Sequence, residues 1–284
     1  MAIHAATSTN AYLIPKLRTF ADVCSIEPAA ARAIHARRIP RAAYSTQKVR
    51  SGEAHSAVTP LNSSGAALKH PFHDATFLTT AADWRQLPSG GAPEVAFAGR
   101  SNAGKSSVIN ALAQRSRLAY VSRTPGRTQH INFFRAPSGA LLADLPGYGY
   151  AKVPAAVQRR WQVFLARYLA ERKALVGLVV VMDARHPLTD LDRQMLDWFL
   201  PTGRPVRVLL TKADKLSSSE RRRALEHACR AIARDYGAAM VGTQLFSATQ
   251  PLGVTDAETA ISAWLAPWES AAGVEKERPR HQGE

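Results

Sequence analysis

From Glu94 onward the chain alternates between short apolar runs and longer stretches in which apolar residues recur every three or four positions. EVAFAG, INFFRA, ALLADLPG, VGLVVVMDA, PVRVLLTKAD and AAMVGTQLFSA are short and densely apolar, and they read as strands. Between and after them, a stretch from about Lys105 and the segments PAAVQRRWQVFLARYLAERK, DLDRQMLDWFL, SSSERRRALEHACRAIARDY and TDAETAISAWL read as helices. In the second of these helices Trp161, Phe164, Leu165 and Tyr168 have the spacing of a core-facing stripe, not of base-stacking residues. Strands alternating with helices predict an α/β fold, a mostly parallel sheet with helices on both faces. Sites in such sheets lie at the carboxyl ends of the strands.

The first 70 or so residues lack this patterning. They are rich in Ala, Ser, Thr and Arg, with RAIHARRIPRAAYSTQKVR at their centre, and have no periodic apolar face from which to build a core. The expected organisation is a basic, disordered extension over residues 1–75, an ordered domain over 76–268 and a flexible polar tail over 269–284. A transit peptide, a basic RNA-binding arm and a start codon assigned too far upstream all fit the extension.

Composition narrows the setting. The 284 residues are 46% hydrophobic, yet no apolar run approaches the roughly 18 residues that would suggest a membrane span, so membrane insertion is not expected. Cys24 and Cys229 stand far apart in dissimilar segments, which suggests neither a disulfide framework nor a zinc site and fits a reducing, cytoplasmic setting. The formal charge of +15 predicts attraction to a polyanion such as RNA. Residues 1–74 carry nine Lys or Arg and four Asp or Glu, so +10 remains on the rest of the chain. Arg159, Arg160, Arg167, Arg172 and Lys173 in one helical segment, and Arg221 to Arg223 in another, are candidates for a phosphate-facing surface, with a plain solvated face as the alternative.

Candidate chemistry begins at AFAGRSNAGKSSVIN. Gly99, Arg100, Ser101, Asn102, Ala103, Gly104, Lys105 and Ser106 fit G-x-x-x-x-G-K-[ST] between a predicted strand and a predicted helix. Glycine lets backbone N–H groups surround phosphates, and the following helix adds its positive end. Lys105 is expected to reach the β- and γ-phosphates and Ser106 to offer a hydroxyl to Mg²⁺. Asp144, Leu145, Pro146 and Gly147 close another predicted strand; Asp144 is placed to hold a magnesium-bound water and Gly147 to offer its N–H to a γ-phosphate. Between these motifs Thr128 is a candidate second hydroxyl ligand for Mg²⁺, present only while the γ-phosphate holds its loop.

The base is read elsewhere. Thr211, Lys212, Ala213 and Asp214 follow PVRVLL, and Asp214 can accept from both N1–H and the exocyclic amine of guanine, whereas adenine presents an acceptor at N1. Lys212 is expected to lay its stem along the base and tie this loop to the phosphate loop. Phe246, Ser247 and Ala248 end the last predicted strand and are candidates to present backbone N–H groups to the guanine oxygen.

Together GRSNAGKSSVINAL, TPGRTQHINFF, DLPGYGYAKV, VVVMDARHPLTDLDRQMLDWF, LTKADKL and FSA resemble the EngB-type (YsxC-type) bacterial GTP-binding proteins over residues 93–264. The resemblance places the chain in the TrmE-Era-EngA-EngB-Septin-like class. It implies a Ras-like P-loop GTPase domain, Mg²⁺-dependent binding of GTP and GDP and slow hydrolysis. It further implies a role in assembly of the large ribosomal subunit, through rRNA or subunit precursors, with an effect on cell division and septation. The expected state is a monomer. By position it assigns phosphates to residues 99–106, Mg²⁺ to Ser106 and Thr128, and catalytic contributions to Lys105 and Thr128. Gly126, Arg127, Thr128, Gln129 and His130 become the first switch, Asp144 to Gly147 begin the second, and residues 211–214 and 246–248 read guanine.

Two positions depart from the general GTPase plan. Tyr148 stands where many GTPases have a glutamine that orients the attacking water, which predicts weak hydrolysis until a partner completes the site. Thr211 stands where many have asparagine. Asn102 adds a candidate K⁺ site beside the phosphates, with a merely loop-stabilising asparagine as the alternative; equal hydrolysis in potassium and sodium buffers would remove the potassium idea. Two other functions compete with the GTPase switch: a P-loop ATPase, and a basic RNA-binding assembly protein whose nucleotide is structural.

Overall fold

The computed structural model describes residues 70–119, 130–149, 155–237 and 241–276, with the side chains of 155–158 and 269–276 left aside. Seven strands are described: β1 (Thr76–Ala81), β2 (Glu94–Gly99), β3 (Ile131–Arg135), β4 (Leu141–Asp144), β5 (Leu175–Asp183), β6 (Val206–Thr211) and β7 (Val241–Leu245). Five helices accompany them: α1 (Lys105–Leu112), α2 (Ala155–Glu171), α3 (Asp190–Phe199), α4 (Ser218–Tyr236) and α5 (Val254–Lys276).

One sheet runs in the order β1-β3-β4-β2-β5-β6-β7. β4, β2, β5, β6 and β7 are parallel, and β3 is antiparallel to both β1 and β4. The sheet is therefore mostly parallel, with an antiparallel edge. Successive side chains of β2 point to opposite faces, as strand geometry requires. Ala96 and Ala98 join a core with Leu165, Tyr168, Leu196, Phe199 and Ile232, contributed by α2, α3 and α4. Val95 and Phe97 join a second core with Val108, Ile109, Leu112, Ile261 and Leu265, contributed by α1 and α5. Each face of the sheet is thereby covered.

β2 is the topological switch point. The chain leaves it toward β3 and β4 on one side, then crosses back to β5 on the other, so a crevice opens at the carboxyl end of β2. Among the stripe residues of α2, Phe164, Leu165 and Tyr168 are buried and Trp161 is partly so, as their spacing predicts.

Three boundaries differ from expectation. β1 was not foreseen: TFLTTA carries three threonines and pairs as an edge strand, with both outer residues exposed at its start. The residues before it also belong to the packed domain, since Phe72 and Ala75 are fully buried. A lone aromatic in a polar stretch gives no periodicity to read. At the other end α5 continues past Leu265, through Pro267, to Lys276. Its Ala, Glu and Lys residues are good helix formers, and their propensity outweighs the polar character that suggested a tail. The rest of the extension, and residues 277–284, lie outside the described residues.

Candidate functional site

The loop from Gly99 to Ser106 turns at the mouth of β2 because its backbone takes conformations that few residue types tolerate. Gly104 has φ +99° and Asn102 has φ 65°, both in the left-handed region. Gly99 is required for a different reason: a Cβ there would lie 2.8 Å from the Val181 carbonyl oxygen on the neighbouring β5. α1 begins immediately at Lys105, so its amino-terminal N–H groups face the loop.

Lys105 forms a short ion pair with Asp144 at the end of β4, and both side chains are largely covered, at 12% and 11% exposure. A phosphate chain with its cation offers an anion to the lysine and a positive centre to the carboxylate, so the arriving ligand has a charge for each partner of this pair. Ser106 and Asp144 supply hydroxyl and carboxylate oxygen, the hard donors that Mg²⁺ takes. Leu145 N–H donates to the Phe97 carbonyl at 3.0 Å, Ser101 N–H to the Tyr148 carbonyl at 3.0 Å and Tyr148 N–H to the Gly99 carbonyl at 3.3 Å. These bonds lace Asp144 to Gly147 against the phosphate loop. A Cβ on Gly147 would lie 3.4 Å from the Ser101 backbone. Gly126, Arg127, Thr128 and Gln129 lie outside the described residues, and His130 is exposed where β3 begins.

The loop after β6, expected to read a base, is joined to the phosphate loop by two side chains. Lys212, itself left-handed at φ 57°, donates from Nζ to the Asn102 carbonyl at 2.7 Å. The same ammonium lies 3.0 Å from Asp183 Oδ2 at the end of β5. Thr211 is buried, and its hydroxyl is placed against the Ala103 and Met182 carbonyls. Thr211 thus acts as a tie between β6 and the phosphate loop, with its one hydroxyl proton engaged by backbone.

Asp214 is set by the last loop. Ser247 Oγ donates to Asp214 Oδ1 at 2.8 Å and accepts from the Gln250 N–H at 3.1 Å. That hydroxyl is the main cause holding the Asp214 carboxyl below its ordinary value, with Lys215 assisting, so the group stays an acceptor. Ala213 N–H donates to the Phe246 carbonyl at 3.3 Å, and Arg221 Nε to the Ala213 carbonyl at 2.7 Å. The expectation for residues 246–248 narrows. Phe246 N–H is bonded to the Leu210 carbonyl at 2.9 Å and Ser247 N–H to the Leu252 carbonyl at 3.0 Å, so of the three it is Ala248 whose amide remains for a base oxygen, among the described residues.

Asp183 is the member that sequence reasoning missed. Burial works against its ionised form, but hydrogen bonds from Arg185 and Lys212 outweigh that and hold its carboxyl far below the ordinary value. Arg185 reaches it with Nε at 2.9 Å and Nη2 at 2.6 Å. The signal was available, since Asp183 closes an apolar strand as Asp144 does.

The Tyr148 side chain is engaged by α3. Its hydroxyl donates to Asp192 Oδ1 of α3 at 2.8 Å, and burial followed by the Asp192 charge pushes its pKa well up. Two of the basic candidates also point inward: Arg172 pairs with fully buried Glu94, and Arg221 braces the base loop. Arg159, Arg160, Arg167 and Lys173 are exposed. Among the described residues no helix is long and apolar enough to cross a membrane, and Cys229 is a free, exposed thiol.

Residues 94–212 match a family model described as 50S ribosome-binding GTPase. A probable GTP-binding protein EngB of Thiobacillus denitrificans is 56% identical over 193 residues, spanning 68% of this chain and 92% of that relative. The corresponding protein of Dechloromonas aromatica is 52% identical over 194 residues, spanning 68% of this chain and 88% of its own length. A crystal structure of a probable GTP-binding protein engB aligns at TM-score 0.49 and 20% identity, covering 61% of this chain and 99% of that one. With a phosphate loop, an acidic strand end and an aspartate-bearing base loop gathered at one end of a Ras-like sheet, and relatives above half identity, the chain belongs to the EngB family of GTP-binding GTPases.

Proposed function

We propose that this protein is a Mg²⁺-dependent GTPase switch of the cytoplasm that acts as a monomer in assembly of the large ribosomal subunit, with consequences for cell division and septation. The observation that carries the nucleotide part is the Lys212 bridge. One ammonium joins the Asn102 carbonyl of the phosphate loop, Asp183 on β5 and the loop that bears Asp214, so base and phosphates are recognised by one connected unit. The family description and a net charge near +10 outside the extension support an rRNA-rich partner.

In this reading residues 99–106 surround the phosphates, Lys105 stabilises charge at the γ-phosphate, and Ser106 with Thr128 holds Mg²⁺ while Asp144 orients a bound water. Gly126 to His130 and Asp144 to Gly147 are the elements that change with hydrolysis. Asn102 is exposed and left-handed beside the phosphates, open to a K⁺. Intrinsic hydrolysis is slow because Tyr148 is engaged by Asp192, leaving the position after Gly147 without a side chain to orient water until a partner supplies one.

The test has two arms. Asp214→Asn is expected to weaken GTP binding by roughly 10–100-fold, the value of a charged hydrogen bond, and to erase the preference for guanine. Unchanged selectivity would sink the base assignment. Cosedimentation with large ribosomal subunits is expected to be stronger with GTP than with GDP and to fall as salt rises; equal recovery with both nucleotides would end the switch reading.

A further inference from the structure

On the α1 and α5 side of the sheet, three side chains meet without any role in the site above. His70 Nδ1 lies 2.7 Å from Glu258 Oε2, and His73 Nε2 lies 3.4 Å from Glu258 Oε1. One donor atom from each of the three falls within 4.8 Å of the others. The two imidazoles stack with centroids 4.0 Å apart and planes 6° from parallel. Glu258 is 5% exposed, and both its Oε1 and His73 Nε2 are buried without a hydrogen-bond partner. Burying such groups without a well-formed hydrogen bond costs about 1–3 kcal/mol each, so the 3.4 Å approach of Oε1 and Nε2 leaves room for a better partner.

We infer that His70, His73 and Glu258 form a binding site for a divalent transition metal, of which Zn²⁺ is the best match. Two imidazole nitrogens and a carboxylate oxygen are a donor set suited to zinc and its borderline neighbours and ill suited to Mg²⁺ or Ca²⁺, which favour oxygen alone. Three protein ligands leave a fourth position for water. A cation in their midst would use Oε1 and Nε2, which have no hydrogen bond. Its ligands need only draw together to the roughly 2.0–2.2 Å that zinc takes from nitrogen and oxygen.

The scaffold holds the donors in place. Phe72, between the two histidines, is fully buried and meets Phe97 of β2 edge to face at 6.4 Å. Asp74 N–H donates to the Ala113 carbonyl at the end of α1 at 3.2 Å. Glu258 sits on α5 beside Ala257 and Ile261, which are themselves fully buried. The metal would therefore staple the segment preceding β1 to the last helix, joining residues 188 apart in sequence. Because such a site does not exist in the unfolded chain, its binding energy would add directly to fold stability.

The test uses the full chain, stripped with chelator and then loaded with GDP and Mg²⁺, so that the nucleotide site is the same throughout. Zinc chloride is titrated against a chromogenic zinc indicator for the wild type, His70→Ala, His73→Ala, Glu258→Gln and, as a surface control, His227→Ala. The wild type and His227→Ala are expected to take up one tight equivalent, raise their unfolding temperature with zinc and give a tetrahedral visible spectrum with Co²⁺. Each cluster variant is expected to lose more than the roughly 10–100-fold in affinity that changes behind a metal's ligands cost. Half-exposed His70 can be truncated without opening the core, and retained GDP binding verifies folding of each variant. Equal zinc uptake and equal thermal shifts in the wild type and His70→Ala, or a wild type that takes up no tight zinc, would overturn the site.

Discussion

The two ends of the sheet both bury ion pairs, yet they treat them differently. At the amino end of β2, Glu94 is fully buried and both its oxygens are engaged: Tyr168 donates to Oε2 at 2.9 Å and Arg172 Nε to Oε1 at 3.0 Å. Arg172 also donates to the Pro88 carbonyl at 2.6 Å. Every charge there is satisfied within the protein. At the carboxyl end the pairs are made of groups that an anionic ligand or its cation can also use: Lys105 with Asp144, and Lys212 with Asp183. The difference separates a buried charge that holds the fold from one that is held ready for a ligand.

Breaking the amino-end network should have the largest effect on stability and none on binding. Glu94→Gln leaves Arg172 without its counter-ion and is expected to cost about 3 kcal/mol in denaturant unfolding, while GTP affinity of the folded protein stays unchanged. A matching fall in affinity would erase the distinction between the two ends.

Asp183→Asn probes the opposite end. It removes the charge behind Lys212, so GTP affinity is expected to fall about tenfold by equilibrium titration with a smaller change in stability. The pH dependence has a defined sign. The native carboxyl titrates below the ordinary value of 3.8, so its stabilising contribution is complete above that value and is lost as pH falls through the depressed native one. The variant should therefore show a shallower loss of stability in acid than the wild type; identical acid unfolding curves would mean that the Asp183 cluster contributes nothing to the fold.

Tyr148→Phe is the mildest change and sharpens the comparison most. Removing one buried hydroxyl should cost about 1 kcal/mol in thermal unfolding, because Asp192 Oδ2 keeps its bonds to Thr189. The single-turnover hydrolysis rate should stay within about twofold, since the ring is a brace for α3 and not a catalyst. A large rate loss would reassign Tyr148 to the chemistry.

What could be read in advance follows from how local each signal is. The placement of the phosphate loop, Asp144 and Asp214 at the ends of strands was legible because each motif sits inside a few residues and is framed by a strand. Arg172 was placed on a solvent face because its partner Glu94 lies 78 residues earlier, which helix spacing cannot reveal. The bonds of the Thr211 hydroxyl and of the Phe246 and Ser247 amides were hidden for the same reason: the carbonyls that engage them belong to other strands and loops. β1 escaped notice because an edge strand of threonines shows little apolar alternation.

By itself the sequence determined the alternation of strand and helix, the position of the phosphate loop and the polar residue types that gather at the carboxyl end of the sheet. These follow from periodicity and from chemistry carried by neighbouring residues. Only the tertiary structure decided which of those polar groups remain available to a ligand. A side chain's hydrogen-bonding capacity is finite, and Thr211, Tyr148 and Arg172 commit donors to groups that folding alone brings near.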